Sequence, residues 1–252
     1  MKRTSVNIAC WNINCLKSKL FDKSNDSVFL KEISSFDIVC LSEIKCKMEH
    51  INFEGYRTHV VQRKTVDKGP VYGGIAILVK RNIKPGIIFL PSTSSEYQWI
   101  KLDKDFFDLT KNIYVCFVYY SPRNSTYSNS SDADIIASVG SDLSRYSSDG
   151  NILLCGDFNA RTGCKVPDFI VNDNDVHVPV SNHYLEDADI NCRVSQDHVT
   201  DARGRELLDL CIESQLRILN GRSFGDSQGM FTSYKYNGNS VVDYMLVSEN
   251  LL

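Results

Sequence analysis

At 252 residues, with 42% hydrophobic and 23% charged residues, the chain has the composition of one large globular domain or two small ones, with enough apolar residues for a sizeable core. A formal net charge of -3 gives no general attraction to a polyanion, although that count omits any bound divalent cation. Nine cysteines, an odd number with no Cys-x-x-Cys pair, make a disulfide framework and a zinc site poor readings and reduced core thiols the better one, while no apolar run is long enough to cross a bilayer and no secretory signal follows Met1-Lys2-Arg3.

The first strand candidate runs from Val6 to Trp11 and ends in Asn12-Ile13-Asn14, two carboxamides two residues apart. Phe29, Leu30 and Ile33 have helical spacing. The next short strand, Asp37 to Leu41, runs into Ser42-Glu43-Ile44-Lys45, which puts a carboxylate at a second strand terminus. Gly73 to Val79, Gly86 to Phe89, Tyr97 to Leu102 and Ile113 to Tyr120 read as strands separated by Pro, Gly and Ser, and together predict a β-meander closed by Tyr120-Ser121-Pro122.

After a polar loop over residues 124–131, Asp132 is a candidate cap for a helix with apolar positions Ile135, Ile136, Val139, Leu143 and Tyr146. The strand from Ile152 to Cys155 follows, ending in Gly156-Asp157-Phe158-Asn159. Side chains alternate faces on an extended chain, so Asp157 and Asn159 point one way and Phe158 the other. Residues 162–200, rich in Asp, Asn, His and Ser, show little periodicity, and a loop that long is usually functional or mobile. Leu207, Leu208, Cys211 and Ile212 mark a second amphipathic helix, and Leu216 to Leu219 a short strand. Met230 to Tyr236 with Val241 to Val247 predict a hairpin around Asn237-Gly238. Asp243 lies within that last apolar strand, where an unpartnered charge would be costly. No repeat or composition shift divides the chain, so a single domain over residues 1–252 is expected, an α/β sandwich of two mixed sheets with helices outside.

Strand ends thus offer Asn12, Glu43, the Asp157/Asn159 pair and Asp243. Each has a plain structural reading: Asn12 a turn former, Glu43 a surface acid, Tyr120 a packing aromatic, Asp243 a partner for an arginine, and Asp157 and Asn159 an Asx turn. Taken together, a functional reading wins. Trp11 and Trp99 read as core residues rather than base-stacking platforms.

Trp11-Asn12-Ile13-Asn14, Leu41-Ser42-Glu43-Ile44-Lys45, Tyr119-Tyr120-Ser121-Pro122, Gly156-Asp157-Phe158-Asn159 and Val242-Asp243-Tyr244 follow one another along nearly the whole chain. In this order they resemble the successive motifs of the endonuclease/exonuclease/phosphatase superfamily. Within it, residues 154–161, 205–222 and 236–244 resemble the apurinic-type endonuclease domain of LINE-like, non-LTR retrotransposons. The resemblance implies a four-layer sandwich and a Mg²⁺-dependent phosphodiester cut, with Mn²⁺ as a possible substitute. It implies Glu43 as principal metal ligand, with Asn12 and Asn14 helping, Asn14 standing where relatives often carry Asp.

By the same resemblance Asp157 would orient or deprotonate the attacking water. Asn159 and Tyr120 would donate to the phosphate as charge develops, and Asp243 would orient a histidine. Arg161, and Thr232 in the loop Met230-Phe231-Thr232-Ser233, would contact substrate. DNA would be the substrate, a reverse transcriptase encoded downstream the partner, and the nucleus the site of action, the protein being a monomer without a membrane role.

Relatives end in a Ser-Asp-His motif on a further strand, whereas all five histidines here (His50, His59, His177, His183, His198) precede Asp243. Ser195-Gln196-Asp197-His198 mimics that motif from the wrong place and reads as a loop. The expectation is therefore a chain incomplete at its C-terminus, without the last strand and with weakened activity. Two alternatives share these residues: a phosphoesterase acting on a phosphoinositide, lipid or nucleotide, and a non-catalytic remnant of a mobile element.

Overall fold

A computed structural model of the chain describes residues 5–47, 51–62, 71–123, 125, 134–170 and 192–252. The chain comprises two compact units, Met1–Ser121 and Pro122–Leu252. The fold class is α/β as expected, with multi-strand sheets and few helices.

The first unit opens with β1 (Ile8–Asn12), α1 (Ser27–Ser34) and β2 (Ile38–Ser42). β1 and β2 are parallel, Asn12 opposite Ser42, and parallel neighbours require a crossover, which α1 supplies. The Asp26 carboxylate caps α1 by accepting the Phe29 N–H at 2.8 Å. Phe29 and Ile33 on its inner face join one apolar cluster with Val39, Leu41, Ala76 and Leu78. Burial of each of the larger side chains in this cluster contributes roughly 1.5–3 kcal/mol relative to exposure.

Two strands complete this sheet, β3 (Tyr56–Val61) and β4 (Ile75–Lys80), in the order β1-β2-β4-β3. β4 therefore pairs with β2 and β3 and does not belong to the predicted meander. β3 has no sequence counterpart above, because Arg57, Thr58 and His59 interrupt its apolar positions. The meander proper is β5 (Ile87–Phe89), β6 (Tyr97–Leu102) and β7 (Asn112–Tyr119), joined as antiparallel neighbours. A short helix, α2 (Lys104–Phe107), sits between β6 and β7, its first N–H groups held by Asp103 at 3.0 Å. Glu96, just before β6, is buried because its carboxylate accepts the N–H and hydroxyl of Ser121, just after β7.

The second unit contains α3 (Ile135–Tyr146), β8 (Gly150–Asp157), α4 (Ala202–Glu213), β9 (Leu216–Ile218), β10 (Ser233–Lys235), β11 (Gly238–Ser240) and β12 (Asp243–Ser248). α3 begins where predicted, but Asp134 caps it, accepting the Ala137 N–H at 3.0 Å; Asp132 lies outside the described residues, as do residues 126–131 and 171–191. The predicted hairpin is corrected. β10 turns through Tyr236-Asn237 onto β11, whereas β12 lies between β8 and β9, antiparallel to both. The apolar Val241 to Val247 run buries itself in a sheet interior, which a two-stranded hairpin cannot offer.

The two ends of the long 162–200 region meet. Thr200 Oγ1 donates to the Thr162 carbonyl at 3.0 Å, and the Asp201 N–H to the Arg161 carbonyl at 2.9 Å. Gly204, in the first turn of α4, permits this: a Cβ there would lie 1.8 Å from the Arg161 carbonyl oxygen. Among the described residues no helix is long and apolar enough to cross a membrane.

Candidate active site

In the first unit, the polar residues predicted at strand ends converge. Asn12 is the last residue of β1, and its Nδ2 donates to Glu43 Oε1 at 3.0 Å. Its Oδ1 accepts the Asn14 N–H at 3.0 Å, which folds the chain after β1 back on itself. Glu43 follows β2 directly. Lys45 Nζ lies 2.5 Å from Glu43 Oε2 and donates to Asn14 Oδ1 at 2.6 Å. Asn14, Glu43 and Lys45 have φ of 44°, 53° and 48°, left-handed conformations that asparagine tolerates and that cost glutamate and lysine. Such conformations persist only where surroundings impose them, and they cluster at functional sites. The backbone bonds from Ile13 N–H to Ser42 O and from Cys15 N–H to Glu43 O hold the two loops side by side.

Burial pushes the Glu43 carboxyl up, but the Lys45 ammonium, the Asn12 amide and the Tyr119 hydroxyl outweigh it and hold the group below its ordinary value. It is a carboxylate at neutral pH. Lys45 and Tyr119 are contributors not singled out from the sequence. Lys45 was legible as the residue two after Glu43. Tyr119 carried no such signal, because β7 is buried on both faces and shows no alternation; it is buried at the strand's last position, while Tyr120 is half-buried just past it.

In the second unit Asp157 ends β8 and is 5% exposed. Its Oδ1 accepts the Asn159 N–H at 2.9 Å, so the Asx turn is present, and it leaves Asn159 at φ 44°. Asp243 begins β12 directly opposite Asp157 in the antiparallel register. Residues so paired share a sheet face, so the two carboxylates are neighbours. Behind them Phe158 and Tyr244 pack edge to face, their ring centroids 6.2 Å apart. Burial pushes the Tyr244 phenol up to about 12, and it donates to the Val241 carbonyl at 2.7 Å.

Two residues expected to touch substrate have structural bonds. Thr232 Oγ1 accepts the N–H groups of Val242 and Asp243, each at 3.1 Å, and so sets the position of Asp243. Arg161 makes a two-pronged pair with Asp197, Nε to Oδ2 at 2.8 Å and Nη2 to Oδ1 at 2.6 Å. The same Asp197 carboxylate accepts the Val199 and Val241 N–H groups at 3.1 and 3.0 Å. Ser195-Gln196-Asp197-His198 is thus a clamp on the start of β12, with His198 exposed. Of the other histidines, His59 stacks on Phe89 at 4.2 Å between centroids, burial holding its imidazole below the ordinary value; His50, His177 and His183 lie outside the described residues. Trp11 departs from its expected core role: it is 46% exposed, with one ring contact to Phe29 at 5.2 Å.

Among the described residues no three His, Cys, Asp or Glu side chains gather as a metal cluster. The donors at the first unit's strand ends are instead one carboxylate and two carboxamide oxygens. They fit a hard cation that keeps several of its waters, and the Lys45 ammonium already occupies a cation position between Glu43 and Asn14.

No curated protein sequence matches the chain. Among solved structures it is similar to the 3′ phosphatase NExo from Neisseria bound to product DNA hairpin, at 15% identity and a TM-score of 0.55, covering 98% of this chain and 88% of that one. It is similar also to the 3′-5′ exonuclease NExo from Neisseria meningitidis, at 16% identity and a TM-score of 0.55, covering 97% and 87%. At such identities these likenesses support the fold. Residues 9–252 match the endonuclease/exonuclease/phosphatase family, whose enzymes hydrolyse phosphoester bonds and are generally dependent on a divalent metal. With that match spanning nearly its entire length, the chain belongs to the endonuclease/exonuclease/phosphatase family.

Proposed function

We propose that the chain is a Mg²⁺-dependent phosphodiesterase that nicks one strand of DNA and leaves a 3′-hydroxyl, as in target-site cleavage by LINE-like retrotransposons. The observation that carries this reading is the Glu43 carboxylate, kept ionised by Asn12, Lys45 and Tyr119 on backbone held in a costly conformation. Glu43, Asn12 and Asn14 would hold the metal, and Mn²⁺ has the same preference for oxygen donors. When bound, the ion supplies charge that polarises a phosphate oxygen and stabilises the leaving alkoxide.

The chain's own groups do the rest. Asp157, oriented by the Asn159 N–H on its Oδ1, acts as the base toward the attacking water. The Asn159 amide and the Tyr120 phenol donate to the phosphate as negative charge grows. Asp243, held through its N–H by Thr232, keeps the carboxylate pair in register. Arg161 and Thr232 act at one remove from substrate, through Asp197 and the start of β12. A reverse transcriptase would extend the nick in the nucleus, and the nuclease unit acts as a monomer.

Plasmid nicking with Mg²⁺ tests the reading, with primer extension from the nick to detect the 3′-hydroxyl. Wild type should convert supercoiled to open-circular DNA, with a steep fall as salt rises because phosphate contacts release counterions. Glu43→Gln, Asp157→Asn and the double variant should lose activity to the same floor, since groups serving one step are not additive. Nicking unaffected by both single substitutions would refute the assignment. A second reading is end processing: the two solved structures are named as a 3′ phosphatase and a 3′-5′ exonuclease. Release of phosphate from a 3′-phosphorylated duplex without plasmid nicking would favour it.

A further inference from the structure

The cation position between Glu43 and Asn14 is filled by a side chain of the protein itself. Lys45 Nζ is 2.5 Å from Glu43 Oε2 and 2.6 Å from Asn14 Oδ1. Three left-handed residues, Asn14, Glu43 and Lys45, present these groups to one another, so the arrangement is imposed by backbone conformation. Both partners remain in reach of water: the Lys45 side chain is 29% exposed and that of Glu43 16%. The bonds that hold the ammonium come from side chains alone, on a flexible four-carbon stem that can swing away.

Lys80 and Asp37 form an instructive contrast. Their separation is 3.3 Å, the Asp37 side chain is 1% exposed, and the other Asp37 oxygen accepts the Asn7 N–H. That pair is tied to backbone at a strand start, and the Lys45 pair is not.

Oxygens that accept an ammonium at these distances are the hard oxygens a divalent cation prefers, and two cations cannot share them without strong repulsion. We propose that Lys45 is the resident cation of this cage and is exchanged for the divalent ion on loading. It thereby weakens the site for that ion and selects ions of charge high enough to displace it. The proposal rests on the reading of Glu43 as a metal ligand and adds a competitor to it.

Isothermal titration of the intact, EDTA-stripped chain with MgCl₂ at fixed ionic strength, without DNA, tests the exchange. Lys45→Met should bind Mg²⁺ about five- to tenfold more tightly than wild type, as expected for removal of one adjacent positive charge in a partly solvated site. The rise in Tm on adding Mg²⁺ should also be larger for Lys45→Met, whose Glu43 carboxylate lacks its counter-charge until the ion binds. Lys45→Gln keeps a donor for Asn14 without the charge and should show the same gain, which covers the case in which Lys45→Met fails to fold. Glu43→Gln should abolish binding. An unchanged or weaker Mg²⁺ affinity in the Lys45 variants, with binding still lost in Glu43→Gln, overturns the exchange and leaves the metal site intact. Wild-type affinity in Glu43→Gln, or no binding in any variant, overturns the metal site and the exchange with it.

Discussion

Two carboxylates, Glu43 in the first unit and Asp197 in the second, each meet a cation, yet they are held by different kinds of donor. Asp197 is 2% exposed and accepts two backbone N–H groups besides the fork of Arg161. Backbone donors cannot leave, and a planar guanidinium binds both oxygens at once, so the group is locked. Glu43 is bound by rotatable side chains, an amide, a phenol and an ammonium, on backbone in a costly conformation. The difference teaches that an ion pair reads as structural or functional by the kind of donor that surrounds it, since both carboxyls are held below their ordinary values.

The comparison can be broken most directly at Glu43. Glu43→Gln preserves shape and should lower nicking activity on the order of a thousandfold, the scale of losing a preorganised electrostatic contact, with Tm nearly unchanged. A Tm loss as large as that of an Asp197 variant would erase the distinction. Asp197→Asn should do the reverse: it should cost about 2–3 kcal/mol in urea unfolding, somewhat below a fully buried pair because Arg161 is 33% exposed.

The pH dependence sharpens the same point. Burial pushes the Asp197 carboxyl up, but Arg161 and the Val199 and Val241 N–H groups pull it below its ordinary value of 3.8. A group with a depressed folded-state value stabilises above its unfolded value and loses that contribution as pH falls through the folded one. Wild type should therefore lose stability below about pH 4, and Asp197→Asn should flatten that part of the curve, as acid titration followed by circular dichroism would record.

Gly204→Ala attacks the seat of Arg161 from its other side. The added Cβ would meet the Arg161 carbonyl at 1.8 Å, a backbone atom that cannot rotate away, and a loss of about 1–3 kcal/mol in urea unfolding is expected. The smallest effect belongs to Thr232→Val, which removes the acceptor for the Val242 and Asp243 N–H groups and should cost about 1 kcal/mol in Tm-derived stability. If Thr232 serves only to position Asp243, activity should drop with KM for DNA unchanged; a selective rise in KM would restore the substrate contact expected from the sequence.

Strands β2 and β8 were legible from continuous apolar runs, β6 from its aromatic and β-branched residues between Ser and Asp punctuation, and α3 and α4 because their apolar residues recur at helical intervals. The candidate-site motifs were legible for a related reason: Asn12, Glu43 and Asp157 are polar groups at the ends of such runs, where the apolar pattern breaks. β3 was not, since Arg57, Thr58 and His59 disturb its pattern, and its strand state is decided by the edge of β4. The partner of β12 was not legible either, because a sequence shows that Val241 to Val247 must be buried but not which neighbours bury it.

By itself, then, the order of residues determined which segments seek the interior and which strand ends carry acids and amides, since hydrophobic periodicity and motif spacing are local properties. Only tertiary structure decided that Asp243 faces Asp157, that Asp197 pairs with Arg161, and that Lys45 rests on Glu43. Those are pairings across loops of many residues, and their energies depend on burial and donor geometry that no local stretch of chain contains.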